Sequence, residues 1–323
     1  MLHPRPGLPQ CDRTMYKFRL GGEHLPRRLA GKTVVEMVRL IDTDIASRDV
    51  LDWQGLHIFH GRMSSCSQKL RIFLNLKGIE WQGHELDLAG NETYSDWFLG
   101  INPRGLVPVL VWDGAVHIES NDILALLDQE FPDPRLFPAD HAADIATLLR
   151  QEDDLHLDLR ALSFRFVYGR TGSNKTSEIL ARYRDGERTV NGAPDHEKRS
   201  HEIEFYERLA VEGITDHTAR AAAAKFRSAF EGLEQRLATA PHFLGQEPSI
   251  MDIAWFVYAS RLNFAGYPFD RLHPRVHAWR VALAGDEIFA REVEPPQAVR
   301  DTIAKNHAAW AEAGTTFSDV TGF

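Results

Sequence analysis

Apolar residues along the chain fall into two regimes. The first clear strand is Leu56-His57-Ile58-Phe59, and a polar loop separates it from Ser67 to Lys77. In that segment Leu70, Phe73, Leu74 and Leu76 mark one helical face, and Gly78 marks its stop. Glu80 to Leu88 alternates loosely enough to predict a second strand, and polar Ala89 to Ser95 leads into a short helix near Trp97 and Phe98. Val107 to Trp112, the Asp113-Gly114 turn signal and Val116 to Ile118 predict an antiparallel pair. A helix over Ser120 to Glu130 completes a βαβαββα order. After Phe131-Pro132-Asp133-Pro134 and Phe137-Pro138 strand alternation ends and long helical periodicities take over, which places a domain boundary near Pro134 to Asp140.

Upstream, residues 1 to about 31 mix Pro, Gly and Arg and predict an extended arm, whereas Val34, Val35, Val38, Leu40, Ile41 and Ile45 predict a short docking helix over Lys32 to Ile45. In the helical half, Thr171 to Asp195 is rich in Gly, Arg, Ser and Lys and predicts a long, irregular insertion. The expected division is an extension over 1–54, a mixed α/β domain over 55–134 and an all-helical domain over 140–323 with an insertion near 171–195.

The 323 residues suit two domains, and a net charge of −9 argues against a nonspecific nucleic-acid binder, whose affinity rests on clustered Lys and Arg. Two cysteines, Cys11 and Cys66, are too few for a disulfide scaffold or a CxxC metal site, so no metal is expected. The N-terminus lacks the apolar core of a secretion signal, and no run of 18 apolar residues occurs, so a cytoplasmic protein that does not enter membranes is expected.

The segment Arg62-Met63-Ser64-Ser65-Cys66-Ser67-Gln68-Lys69-Leu70-Arg71 resembles the first loop and helix of glutathione transferases, above all the Ser-Ser-Cys-Ser form of the zeta class. It is also similar to bacterial glutathione-dependent ether-cleaving enzymes. Asn102-Pro103-Arg104-Gly105-Leu106-Val107-Pro108, Glu119-Ser120 and Ser249-Ile250-Met251-Asp252 follow in the family's order, so the resemblance covers about residues 56 to 290. It implies a thioredoxin-like N-terminal domain, an all-α C-terminal domain, glutathione as co-substrate and a homodimer.

A thiol of pKa roughly 8.5 is mostly protonated at neutral pH, so an enzyme that uses glutathione as nucleophile must favour the anion. A hydroxyl at a helix N-terminus does so by donating to sulfur beside the positive end of the helix dipole. The resemblance implies Ser64 for that role, then Ser65, then Cys66, which in some transferases forms a mixed disulfide with glutathione instead. Helix capping is the structural alternative for these serines and suits Ser67 best. The resemblance further implies a cis bond at Val107-Pro108, whose Val107 backbone pairs with the cysteinyl unit, and a γ-glutamyl site at Glu119 and a helix capped by Ser120. Leu106 stands where many relatives carry Gln or Lys for the glycyl carboxylate, which leaves Lys77, Arg104 or the N-terminal extension as candidates for that cation. Ser249 and Asp252 are expected to cap the central buried helix.

An acceptor pocket is expected between the Arg62-Met63 loop, the first helices of the second half, in particular the one from Asp144 to about Tyr168, and the helix around Trp255 to Phe264. There Phe164 and Phe166 would form apolar walls, and His156, Arg160 and Arg165 would meet an anionic substrate or assist a leaving group. The expected reaction is attack of glutathione thiolate on an electrophilic carbon with loss of an ether oxygen, halide or sulfonium sulfur. The alternatives are glutathione-dependent isomerisation of maleylacetoacetate, against which Gln68-Lys69 stands in place of the usual Trp-Arg, and a non-catalytic interaction module.

Overall fold

The computed structural model describes residues 39–323. Strands β1 (Leu56–His60), β2 (Gln82–Glu85), β3 (Val109–Trp112) and β4 (Ala115–His117) form one sheet in the order β2-β1-β3-β4. β1 runs parallel to β2 and antiparallel to β3, with Ile58 opposite Leu110 and Phe59 opposite Val109. Helices α1 (Ser65–Leu76), α2 (Asp96–Leu99) and α3 (Ser120–Glu130) complete the βαβαββα unit. The pleat divides the apolar residues between two cores. Ile58 and Leu110 face α1 and α3, where Leu70, Phe73, Ile123 and Leu127 are buried, and this core continues into the helical half.

Phe59, Val109, Val111 and Val116 face the other way and are covered by Phe98, Ile101, Leu40, Ile45 and Val50. Residues 39–54 are therefore part of the sheet's packing and not an appended arm. Arg39 bridges to His117, the Leu40 amide donates to the Val116 carbonyl (2.9 Å), and Asp42–Asp44 and Arg48–Asp52 are single 3-10 turns. The docking helix expected over Lys32 to Ile45 is thus absent from its described portion. The open edge of β4 captures this backbone, and β-branched residues spaced three or four apart suit an extended strand as well as a helix. The rest of that helix, the N-terminal arm and Cys11 lie outside the described residues.

The helical half begins with α4 (Ala142–Asp154) and α5 (His156–Phe166), so the single helix expected from Asp144 to Tyr168 is interrupted at buried Leu155. Next come α6 (Ser177–Asp185), a hairpin of β5 (Thr189–Val190) and β6 (Ala193–Pro194), and α7 (His196–Glu212). The expected irregular insertion therefore carries regular structure. Its turn residues Asn191 and Gly192 both have left-handed φ, 55° and 73°, the conformation an Asn-Gly hairpin turn requires.

The chain continues through α8 (Asp216–Arg236), α9 (Ile250–Ala265), α10 (Phe269–Leu272), α11 (Pro274–Ala284), α12 (Glu287–Val293), α13 (Gln297–Ala313) and α14 (Phe317–Thr321). α9 is buried nearly all round and starts with the expected capping box: Ser249 Oγ accepts from the Met251 amide, and Asp252 accepts from the Ser249 amide (2.9 Å). The other Asp252 oxygen accepts from Trp279 Nε1 (2.9 Å) and lies 3.1 Å from His242 Nδ1, so this buried carboxylate is fully engaged.

Candidate functional site

A cavity of about 930 Å³ opens between the sheet's connecting loops and helices α5 and α7. Its floor is the start of α1. Ser64 occupies the N-cap position with an extended backbone, and its Oγ accepts from the Ser67 amide at 3.3 Å. Accepting uses a lone pair and leaves the hydroxyl proton available to a group in the cavity, so capping and thiolate binding are compatible in this one residue. Ser65 also lines the cavity but is buried in the first turn. Ser67 is wholly buried off the cavity wall, where its Oγ accepts from the Gly61 amide (3.2 Å).

Cys66 lines the same floor, its Sγ 3.8 Å from His156 Nδ1, which in turn lies 3.2 Å from the Tyr258 hydroxyl. Burial pushes the Cys66 thiol up despite the nearby Lys69 ammonium. Burial and then the Arg160 charge push His156 down to about 4. Both groups are neutral near pH 7, so no thiolate–imidazolium pair forms, and burial outweighs the Lys69 charge that would favour a reactive cysteine.

Val107 and Pro108 line the cavity, and the bond between them is cis. The β1–β3 ladder ends at the Phe59–Val109 pair, so the backbone groups of Val107 lie beyond it. Glu119 and Ser120 line the far wall. Glu119 itself, at φ 68°, takes the N-cap position of α3 without a side-chain capping bond, so the expected cap at Ser120 is displaced by one residue. Its carboxylate pairs with Lys198 Nζ (3.0 Å) and with Arg104 Nη1. Burial opposes ionisation, but Lys198 and Arg104 hold the Glu119 carboxyl below the usual range.

Arg104 does not line the cavity. Its guanidinium pairs with Glu119 and with Asp195 (2.5 Å), so it braces Glu119 from behind and is not the cation that Leu106 lacks. Lys77 is excluded more simply. It is buried at the opposite end of α1, 2.7 Å from Asp128 and 2.6 Å from the carbonyls of Phe131 and Pro134.

Arg62, Met63, His156, Arg160 and Phe164 all reach the cavity. Arg160 is tied to buried Glu202 at 2.7 Å, and Arg62 donates to the Arg291 carbonyl (3.3 Å). Arg165 and Phe166 do not reach it. Arg165 pairs with Asp216 (2.5 Å), and Phe166 packs against Phe317 in the core, because the turn of α5 that presents Phe164 points its neighbours away.

Lys175, Lys198, Glu202 and Tyr206 also line the cavity but did not stand out in the sequence. For Lys175 the signal was the basic, Asn- and Ser-containing run from Arg170 to Lys175, which reads equally well as a solvated loop, and Lys198, Glu202 and Tyr206 lie on α7. Among the described residues no group of three His, Cys, Asp or Glu side chains is placed to hold a metal, and no helix is long and apolar enough to cross a membrane.

Family models for the "Glutathione S-transferase, N-terminal domain" and the "Glutathione S-transferase, C-terminal domain" match residues 63–130 and 207–282. Among curated relatives, glutathione S-transferase 1 of Dianthus caryophyllus is 37% identical over 87 residues, which is 27% of this chain and 39% of that protein. A zeta-class glutathione S-transferase of Euphorbia esula is 42% identical over 77 residues, 24% of this chain and 34% of that protein. The maleylpyruvate isomerase of a Ralstonia species is 40% identical over 77 residues, 24% of this chain and 36% of that protein. The matched stretch thus spans between a third and two fifths of these relatives.

Among solved structures, the beta-etherase LigF of Sphingobium sp. strain SYK-6 superposes with a TM-score of 0.58 at 23% identity, over 74% of this chain and 98% of that one. Human glutathione-S-transferase T1-1 superposes with a TM-score of 0.55 at 19% identity, over 80% of this chain and 99% of that one. At these identities the superpositions speak for the fold alone. With matched models in both halves, this fold and a cavity at the start of α1, the chain belongs to the glutathione S-transferase superfamily.

Proposed function

We propose that the protein is a glutathione-dependent enzyme whose thiolate nucleophile forms at Ser64 and attacks an electrophilic carbon of a second substrate. The observation that carries this reading is the convergence of Ser64, Val107 and Glu119–Ser120 on one cavity. Glutathione would lie extended across it. Its cysteinyl amide would pair with the Val107 backbone, its γ-glutamyl carboxylate would meet Ser120 and the positive end of α3, and its ammonium would face Glu119. The Ser64 hydroxyl would then donate to sulfur as the thiol proton leaves to solvent. The sulfur lone pair forms the new S–C bond, and the C–X bond breaks with its electrons going to the leaving group.

The volume lies near the upper end of the roughly 300–1,000 Å³ usual for small-molecule sites. Met63, Leu157, Phe164, Tyr168 and Tyr206 line it. An apolar or aromatic acceptor beside the tripeptide suits that wall. A glutathione-dependent cis–trans isomerase is the second reading, favoured by the zeta-class and maleylpyruvate isomerase relatives. Both chemistries would use the same glutathione site. Gln68 and Lys69 play structural parts here, Gln68 bonded to Arg261 and to the Glu292 carbonyl, Lys69 to Glu152.

The test is incubation of the protein and its Ser64→Ala variant with glutathione and a panel of aryl ethers, haloalkanes, sulfonium compounds and maleylacetoacetate, read by mass spectrometry. A glutathione adduct with a released leaving group, reduced about 10- to 100-fold by the variant as loss of a charge-assisted hydrogen bond requires, supports substitution. Isomer without adduct supports the second reading. No product together with no glutathione binding at millimolar concentration refutes both and leaves a non-catalytic module. A homodimer remains part of the proposal, to be checked by sedimentation.

A further inference from the structure

The segment between the two matched family models brings four cations to the cavity wall, Arg160, Arg170, Lys175 and Lys198, and Arg170 and Lys175 form a pair among them. Two carboxamides join the pair. Arg170 Nη1 donates to Asn174 Oδ1 (3.0 Å), Asn174 Nδ2 donates to the Ala89 carbonyl (3.0 Å) and Asn91 Oδ1 (3.3 Å), and Lys175 Nζ donates to the same Asn91 oxygen (3.2 Å). Aromatic faces complete the setting: Lys175 Nζ lies 3.8 Å from the Tyr94 ring centre and 4.6 Å from that of Tyr206, and the Arg170 guanidinium lies 4.4 Å from that of Phe164.

What the pair lacks is a carboxylate in direct contact: Glu202 attracts Lys175 from beyond ion-pair distance but is itself bonded to Arg160. Arg160 has Glu202 and Lys198 has Glu119, whereas among the described residues no carboxylate comes within 4.0 Å of Arg170 or Lys175. Lys175 is nonetheless only 6% exposed. An ammonium buried with one neutral acceptor and two ring faces in direct contact is poorly compensated, and burial pulls Lys175 down to about 8 although the Glu202 charge opposes the fall. A ligand carboxylate would supply the missing contact.

Topology says which end of the cavity this is. The loop that carries Asn91 follows β2 at one edge of the sheet, α3 follows β4 at the other edge, and Ser64 follows β1 between them. Three strand spacings separate the two edges, about 14 Å at roughly 4.8 Å each. That span suits an extended tripeptide with a γ-linked first residue, reached at its far end by a lysine side chain.

We propose that Arg170 and Lys175 form a carboxylate-receiving site for the ligand that fills the cavity. The carboxylate belongs either to the glycyl end of glutathione, which the position at the β2 edge favours, or to an acid group on the acceptor. The inference rests on the glutathione reading above. Calorimetric titration of the full chain, as wild type and as Lys175→Met, Arg170→Met and Lys175→Arg, tests it with four ligands: glutathione, its glycyl monoethyl ester, S-benzylglutathione and S-(4-carboxybenzyl)glutathione.

The expected result is about tenfold tighter binding by the wild type of the acid over the neutral member of one pair. Either Met variant should abolish that preference and Lys175→Arg should keep it. Preference within the glutathione–ester pair assigns the glycyl carboxylate, and preference within the benzyl pair assigns the acceptor. Preferences equal in wild type and both Met variants overturn the site while leaving the glutathione reading standing. A wild type that binds none of the four refutes the glutathione reading and this inference with it.

Discussion

At Ser64 a single hydroxyl fills two posts: its oxygen closes the first turn of α1, and its proton is left for the cavity. Cys66, two residues on, shows how local environment overrides residue type. Its sulfur faces a histidine, but burial holds that imidazole neutral and pushes the thiol up, which is the reverse of what a nucleophilic cysteine needs. Alkylation of Cys66 by iodoacetamide, followed by peptide mapping to separate it from Cys11, should be slow at pH 7. It should keep accelerating above pH 9, because only the thiolate reacts and a raised pKa moves its formation to higher pH. Rapid labelling with a plateau below pH 8 would contradict this. Ser64, Ser65, Cys66, Val107–Pro108 and Glu119–Ser120 reach the cavity, and what made them legible in the sequence was the family resemblance of the motifs that carry them. Arg104 was misassigned, since spacing along the chain does not reveal that Glu119 and Asp195 converge on its guanidinium.

Among the elements, the helix over Ser120–Glu130 and the β3–β4 turn were read directly from period and turn chemistry, whereas residues 39–54 and the insertion were not. Both exceptions depend on partners far away in the chain. Asp44 is the clearest case: its carboxylate accepts from Thr189 Oγ1 (2.5 Å), the Asn191 amide (2.7 Å) and the Gly192 amide (3.1 Å). It clamps the hairpin tip from a segment some 145 residues away. Asp44→Ala removes a buried anion from three donors and should cost about 2–3 kcal/mol of local stability. Hydrogen exchange should quicken at residues 189–192 with little change in α9, and unchanged exchange at the hairpin would show that other contacts hold it. The same packing bears on shortening the chain. Leu40, Ile45 and Val50 cover one face of the sheet, so removing residues 1 to 50 would uncover core and could not isolate the role of the N-terminal arm.

Over the whole molecule, the two halves are joined through α1 by buried ion pairs. Arg71 donates to Glu292 at 2.6 Å, and Lys69 Nζ lies 3.0 Å from Glu152, both pairs almost wholly buried. Arg71 also donates to the carbonyls of Gly61 (3.2 Å) and Arg62 (3.0 Å), so it ties the loop before Ser64 to the helical half. Glu292→Ala leaves a buried guanidinium without its carboxylate and should destabilise the protein by about 3–5 kcal/mol in urea titration. Glu292→Gln, which keeps an acceptor, should cost less. Turnover in either variant should fall beyond what the unfolded fraction explains, because the Ser64 loop loses a support. A loss below about 1 kcal/mol would mean that the apolar contacts between α1 and α9 carry the joint alone.

The sequence by itself determined the order of elements from β1 to α3, the break into a helical half and the capping box of α9, since all follow from periods, turn residues and caps within a few residues of one another, while the resemblance of one motif pointed to the cavity floor. Only the tertiary structure decided which charges are spent on each other and which face the cavity, that residues 39–54 complete the sheet's second core, and that the insertion brings Lys175 and α7 brings Glu202 to the wall. The physical reason is range. Propensity and periodicity act over a turn or a strand, while burial and charge pairing depend on segments that only the folded chain brings within a few ångströms.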